Sequence, residues 1–237
     1  MLRLAVQAID HNFKAVLLYI GIHVSVGTTL FFIRIKLMRP PEGEDLSALL
    51  NTVDIGLDIV DGIAWAIAQC VAFAWIGRNL DKPNWKIATA SESLKRFFGF
   101  WLLMDLIGML TFRFVIYSVN AGADASIVLW LPILYSSGTI TLGAAIMFYQ
   151  RVGTEEIGLA LRTLGHQFPR TLLVVCIAGA GFIFLNMIML QTGEQFPFAM
   201  PLVSIVDSVL DCFVFSCAWI ICMYYREAME NDSDIDF

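Results

Sequence analysis

The sequence predicts an all-α integral membrane protein, because its composition is strongly apolar and its apolar residues form long segments. Of the 237 residues, 58% are hydrophobic and 15% are charged, which is too apolar for the surface of a soluble protein. The mean hydropathy is +0.73. A membrane-spanning helix needs about 20 predominantly apolar residues. Six segments reach this length, at residues 15–37, 53–76, 98–118, 127–149, 171–190 and 202–225.

In chain order, the six segments differ in the polar residues that they carry. The first lacks a small-residue cleavage site and is too long for the core of a signal peptide, so we expect a retained helix. The second and the sixth begin with acidic motifs, VDIGLD and VDSVLD. The third contains Asp105, and the fourth has Ser136 and Thr139 at the depth of those acids. The fifth contains IAGAGF, whose glycines permit close helix packing.

The basic residues predict the orientation. If the N-terminus is cytoplasmic, most of the 15 lysines and arginines lie on the cytoplasmic side. The exceptions, on or near the outer side, are Arg34, Lys36, Arg39 and Arg113. The positive-inside rule therefore predicts two cytoplasmic termini and outer connections at residues 38–52 and 191–201. Residues 227–237 form a predicted acidic tail that is solvated and mobile.

Three stretches share one pattern and indicate an internal repeat. They read AVQAIDHNFKAVLL at 5–18, ASESLKRFFGFWLL at 90–103 and ALRTLGHQFPRTLL at 160–173. In each stretch an alanine is followed four residues later by Ile or Leu, and after four more residues by a phenylalanine. This spacing puts the three side chains on one helix face. The aligned phenylalanines are Phe13, Phe98 and Phe168, expected at a bend on the cytoplasmic boundary. Each stretch predicts an amphipathic lead-in helix that lies along the membrane interface or packs under the bundle.

Each predicted lead-in is followed by an outward helix and a return helix. The sequence therefore predicts three parallel hairpin repeats, at about residues 3–78, 88–151 and 158–226. Together they make one six-helix membrane domain at residues 1–226, followed by the acidic tail at 227–237.

The stretch GTEEIGLALRTLGHQFPRTLL, at residues 153–173, has an acidic turn followed by an Ala-led amphipathic helix that carries an aromatic residue. It resembles the six-helix bacterial families that include the YciC-type inner-membrane proteins and the membrane domain attached to some glycerophosphodiester phosphodiesterases. Where that helix commonly has a tryptophan, this chain has Leu164 and Phe168. The resemblance implies a six-helix architecture in a bacterial inner membrane, and it implies no particular activity.

The two acidic motifs place five carboxylates inside predicted spans. They are Asp54, Asp58 and Asp61 in the second span and Asp207 and Asp211 in the sixth. Helical geometry gathers the first set within an arc of about 60° and the second within about 40°. An ionised aspartate at the centre of a membrane helix costs about 2.5–3.5 kcal/mol, so both stripes must face away from lipid.

Three arrangements satisfy this requirement. In an ionic network, the two stripes face each other and pair with Arg113, which is the only base embedded at their depth, and with Arg34 and Lys36 near the ends of the first span. In a cavity open to the outer side, the carboxylates hold a cation or protons, as intramembrane acids do in transporters. In the third arrangement, the stripes contact a partner subunit.

Asp105, in WLLMDLIGML, is a secondary candidate because it is a lone acid in the third span. A hydrogen-bonded contact between helices is the alternative, with His23 and Asn186 as neighbours at middle depth.

The sequence points away from enzymatic function. It has no nucleophile motif, no phosphate-binding glycine loop and no C-x-x-C pair, so we expect neither cofactor nor metal. We expect a scaffold, assembly or accessory subunit that acts through protein or lipid contacts. The alternative is a small cation- or proton-conducting transporter or channel. Expected partners are the lipid bilayer, other membrane subunits or further copies of the chain, but not nucleic acid.

Overall fold

The computed structural model describes residues 1–37, 47–120, 122, 124, 130–192 and 199–233. In these ranges the regular elements are all α-helices, with no strand. They are α1 (Leu2–His11), α2 (Phe13–Leu37), α3 (Ser47–Leu80), α4 (Ala90–Asn120), α5 (Trp130–Phe148), α6 (Thr154–His166), α7 (Phe168–Thr192) and α8 (Ala199–Ser233). The six helices other than α1 and α6 are long and apolar enough to cross a membrane, which confirms the predicted number of spans.

Three helices, α3, α4 and α8, extend well beyond the predicted spans. The helix α4 begins at Ala90, where the Thr89 hydroxyl accepts a hydrogen bond from the Glu92 amide at 3.2 Å and so caps the helix. The helix α8 continues to Ser233, so most of the predicted tail is helical as far as it is described. Residues 38–46 and 193–198 of the predicted connections at 38–52 and 191–201, with Arg39, lie outside the described residues, as do 127–129 of the fourth predicted span and 234–237 of the tail. The remaining residues of the two predicted connections belong to α3, α7 and α8.

A single residue separates each of the short helices α1 and α6 from the long helix that follows it. Between α1 and α2, the Asn12 side chain donates to the Ala8 carbonyl at 2.7 Å and competes with the helical hydrogen bonds. In the first turn of α7, Pro169 lacks a backbone hydrogen-bond donor. The helix α4 has neither residue and runs without interruption through Phe98, so the bend expected there is absent.

Three of the long helices lie inside the bundle and three lie outside. The helices α3, α5 and α8 contact one another, and at least half of each membrane-spanning window is buried. The other three occupy the edges of this triangle: α2 contacts α3 and α8, α4 contacts α3 and α5, and α7 contacts α5 and α8. At most 22% of their windows is buried, so most of their surface faces outward.

A layer of fully buried aromatic side chains fills the middle of the bundle. Phe73 and Phe215 stack with ring centroids 4.3 Å apart, and Trp101 and Trp219 flank them at 5.5 and 5.6 Å. A side chain at Gly143 would overlap the Trp101 ring, so α4 and α5 approach closely only because this residue is a glycine. We call Tyr19, Phe73, Trp101, Phe215 and Trp219 the aromatic layer.

Candidate functional site

A partly enclosed cavity of about 570 Å³ lies between the six long helices. Along α3 its lining extends from Asp58 to Gln69, which corresponds to about 16 Å of helix. The next turn of α3 carries Phe73, so the aromatic layer lies beyond the deep end of the cavity. The charged residues in the lining are Arg34, Asp58, Asp61, Asp105, Arg113, Asp207 and Asp211. The cavity therefore collects every predicted acidic site residue except Asp54.

A cluster of two arginines and two aspartates lies at the shallow end, which we call the mouth. Arg113 donates from Nε to Asp58 at 2.7 Å and from Nη2 to Asp54 at 2.9 Å. Arg34 forms ion pairs with the same two carboxylates, with its Nε 3.1 Å from Asp54. The four side chains are between 19% and 35% exposed. Each arginine bridges two carboxylates, so the mouth is electrically balanced.

The mouth confirms one part of the predicted network and corrects another. Arg113 does pair with the α3 stripe, but it is not the only embedded base, because Arg34 contacts the same carboxylates. The last turn of α2 packs beside the first turns of α3, which brings Arg34 to them. Lys36 is exposed and has no ion pair among the described residues. The arginines also form no ion pair with Asp207 or Asp211 in the described chain.

Four aspartates deeper in the cavity have no ion pair among the described residues. They are Asp61, Asp105, Asp207 and Asp211. Asp211 accepts a hydrogen bond from the Tyr19 hydroxyl at 3.0 Å, and Asp105 accepts a long one from Gln69 at 3.4 Å. A buried carboxylate without a base needs a proton, a cation or several hydrogen-bond donors. The ionic network therefore accounts for the mouth, while the deep carboxylates have no ion-pair partner within the described chain.

Three buried oxygen atoms around the cavity have no hydrogen-bond donor in the described chain. They are Asp61 Oδ1, Gln69 Oε1 and Asp105 Oδ2. Gln69 lines the cavity and is only 4% exposed. A buried acceptor without a donor costs about 1–3 kcal/mol. These three acceptors therefore lack a hydrogen-bond donor within the described chain.

Of the two expected neighbours of Asp105, His23 bonds to another residue. His23 forms a 2.5 Å hydrogen bond with the Ser208 hydroxyl on α8 and packs against Trp65. Asp105 bonds instead to Gln69, because α4 packs along α3. The side chain of Asn186 lies outside the described part of the structure.

Sequence reasoning missed the contribution of Trp65, Gln69 and Tyr135 to the cavity lining. A usable signal was present on α3, where Gln69 is a polar residue in the apolar run AIAQCVAF. It follows Asp61 and Trp65 at spacings of four, so the three residues lie on one face. Tyr135 gave no such signal, because an aromatic residue in a membrane helix usually packs against lipid or another helix.

The thiols and acids do not form a recognisable metal site. All five cysteines are free thiols, and Cys176 is the exposed one. Within the described ranges, no group of three or more histidine, cysteine or acidic residues is arranged to hold a metal ion. The acids around the cavity are therefore spread along its walls and do not converge on one point.

No family model matches the chain, and neither a curated protein nor a solved structure proved similar to it.

Proposed function

We propose that this protein is a small multi-pass membrane transporter that binds a cation, or protons in its place, in the acidic cavity. The observation that carries the proposal is the set of four deep aspartates without an ion-pair partner among the described residues. In a purely structural ionic network, the carboxylates would pair with bases, as Asp54 and Asp58 do. Leaving these groups uncompensated is costly in a membrane, and such acids typically mark ion or proton pathways.

The distribution of polar and apolar side chains supports alternating closure of the cavity. One end holds the arginine and aspartate cluster of the mouth, and the other end meets the aromatic layer. A bound solute would pass the first barrier by a rearrangement of ion pairs and the second by a rearrangement of rings. Transport in this form needs two states of the bundle, one for each barrier.

The proposed orientation places the mouth on the outer side and both termini in the cytoplasm of a bacterial inner membrane. The end of the bundle opposite the mouth carries Arg78 in the last turn of α3 and Lys82, Lys86 and Arg151 in the connections, in agreement with the positive-inside rule for the cytoplasmic side. At the same end, α1 buries Ala5 and Ala8 while Leu4 and Val6 are 46% and 58% exposed. Such a face suits the membrane interface.

The three-hairpin repeat remains part of the proposal. The alternating inner and outer positions of successive long helices support it, since each outer helix precedes an inner one along the chain. Phe13 and Phe168 support it as well, because both begin a long helix and are 58% and 59% exposed. The continuous helix at Phe98 makes the second hairpin different from the other two.

The test is a comparison of cations on the purified protein in detergent and in vesicles. Na⁺, K⁺, Mg²⁺, ammonium and spermidine are added as chlorides at equal ionic strength, and the unfolding midpoint is measured. A cation present at about 100 times its Kd adds about 2.7 kcal/mol, which raises the midpoint by roughly 5–11 °C for a chain of this size. The stabilising cation should then accumulate in vesicles when an inside-negative potential is imposed.

Variants connect any such effect to the cavity. Asp211→Asn and Asp207→Asn should remove the stabilisation and the uptake, and Asp10→Asn on α1 should retain both. If no cation stabilises the protein, and vesicles take up neither cations nor protons, transport is refuted. The accessory-subunit function would then be favoured.

A further inference from the structure

We propose that the ligand of the cavity is a linear aliphatic polyamine, bound by the deep aspartates and Gln69. This inference rests on the proposed function and narrows it to one class of solute. Inorganic ions, quaternary ammonium compounds and protons are the competing occupants. The size of the cavity, its charges, its unsatisfied hydrogen-bond acceptors and its apolar lining each help to distinguish between these occupants.

The size of the cavity argues against a bare ion. A volume of about 570 Å³ falls in the range of about 300–1,000 Å³ typical of organic ligand sites. A water molecule takes up about 30 Å³, so one inorganic ion would leave most of the space to solvent. The acids also do not converge on one point, as ligands of a metal ion must.

The charges are distributed along the cavity. Five aspartates and two arginines line it, so acids exceed bases even if the arginines neutralise one carboxylate each. Asp61 and Gln69 are eight residues apart on α3, or about 12 Å, and Asp207 and Asp211 are about 6 Å apart on α8. A single positive charge can approach only part of this set. A chain with several protonated nitrogens, separated by three or four methylene groups, can approach several acids at once.

The unsatisfied atoms distinguish between kinds of ammonium group. Asp61 Oδ1, Gln69 Oε1 and Asp105 Oδ2 are acceptors and need hydrogen-bond donors. Primary and secondary ammonium groups carry N–H donors, whereas a quaternary ammonium group carries none. The Gln69 side chain is the most specific of the three, because it is uncharged and nearly fully buried. Because its carbonyl oxygen is uncharged, it does not attract a counterion strongly. It requires a hydrogen-bond donor instead.

Apolar side chains occupy the walls between these polar groups. Met104 and Met109 come from α4, Tyr135 from α5, Phe182 from α7 and Leu210 from α8. Methylene groups between the nitrogens of a polyamine would lie against them and lose contact with water. Tyr135 and Trp65 are aromatic residues of the lining, and aromatic rings can attract cations. The lining thus contains both polar and apolar side chains, as a polyamine contains both charged nitrogens and methylene groups.

The experiment measures the affinity of a matched set of probes for the purified protein by calorimetric titration. Spermidine is compared with Mg²⁺, whose charge is concentrated on one small ion, and with K⁺. A bis-quaternary alkane of similar length has the charges and methylene groups but no N–H donor. The inference expects spermidine to bind most tightly, and the bis-quaternary compound at least about 10-fold more weakly.

Variants separate the hydrogen bond from the charge. Gln69→Met keeps every carboxylate and should weaken spermidine about 10- to 100-fold, the change expected when a hydrogen bond to a charged donor is lost. Asp211→Asn should weaken spermidine at least as much, and Asp10→Asn should leave its affinity unchanged. If Gln69→Met does not purify in folded form, the bis-quaternary compound tests the hydrogen bond on the unmodified protein, and an affinity equal to that of spermidine would refute the inference.

The outcomes distinguish failure of this inference from failure of the proposed function. If Mg²⁺ binds as tightly as spermidine, or if Gln69→Met has no effect on a folded protein, the polyamine assignment is wrong. If only Na⁺, K⁺ or protons act, and their effect needs Asp211, the transporter proposal stands and the polyamine inference fails. If no probe or proton acts on the protein, both fail.

Discussion

Replacing Arg113 by alanine should destabilise the protein through the two carboxylates that it leaves behind. At an effective dielectric constant of about 20, unit charges about 4 Å apart attract each other by about 4 kcal/mol. Partial exposure of Asp58 and Arg113, 19% and 35%, reduces this value. Arg34 remains in contact with both carboxylates. We therefore expect a net loss of about 2 kcal/mol, between the limits for exposed and buried pairs.

This loss can be measured as thermal unfolding of the detergent-purified protein. For a chain of this length, about 2 kcal/mol lowers the unfolding midpoint by about 4–8 °C. Arg162→Ala is the matched control, since Arg162 is exposed on α6 and has no ion pair in the described chain. It should change the midpoint by no more than about 1–2 °C, because substitutions at such surface sites typically cost less than about 0.5 kcal/mol.

A second substitution tests whether the loss comes from unbalanced charge. Asp58→Asn in the Arg113→Ala protein leaves Arg34 with Asp54, which is a balanced pair. The double variant should therefore be more stable than the sum of the single losses predicts, by about 1–2 kcal/mol. Losses that simply add, or an Arg113→Ala midpoint equal to that of Arg162→Ala, would refute the ion-pair cluster at the mouth.

Three further predictions concern packing, the opposite end of the bundle and topology. Gly143→Ala should cost about 1–3 kcal/mol, because its methyl group would overlap an indole ring, whereas Gly138→Ala has open space and should cost nothing; thermal unfolding compares them. Arg226→Lys loses a bidentate pair with Asp81, at 2.6 and 3.0 Å, and should lower stability by about 1–2 kcal/mol in the same assay. Ser47→Cys should react with an impermeant thiol reagent in intact cells, and labelling only after permeabilisation would reverse the orientation.

The sequence also predicted the direction in which the acidic stripes point. Asp58 and Asp61 lie on one face of α3 because residues three apart lie within about 60° of each other on any α-helix. The cost of exposing them to lipid then required that this face point inward. Both arguments need only local geometry and the nature of the solvent, and the described structure agrees with them. They left open whether the carboxylates meet bases, ligands or a partner.

The contacts of individual polar groups needed the tertiary structure. Arg34 meets Asp58 because α2 packs along α3, and Asp105 meets Gln69 because α4 packs along α3. Such packing also depends on residues elsewhere in the helices, as where Gly143 leaves room for the Trp101 ring. The hydropathy of a helix is the same whichever neighbouring helix a given side chain faces. No pattern in the sequence therefore specifies which neighbour it meets.

The sequence by itself determined that the chain is helical, that six helices are able to cross a membrane and which faces carry the acids. These are properties of single helices, since span length, hydropathy and a period of 3.6 residues depend on near neighbours in the chain. Only the tertiary structure decided that α3, α5 and α8 are the inner helices and that Arg34 shares the mouth with Arg113. It also decided that the deep aspartates line a cavity whose two arginines pair with Asp54 and Asp58 and not with them. The physical reason is that a cavity belongs to no single helix and depends on how several helices fail to fill the space between them.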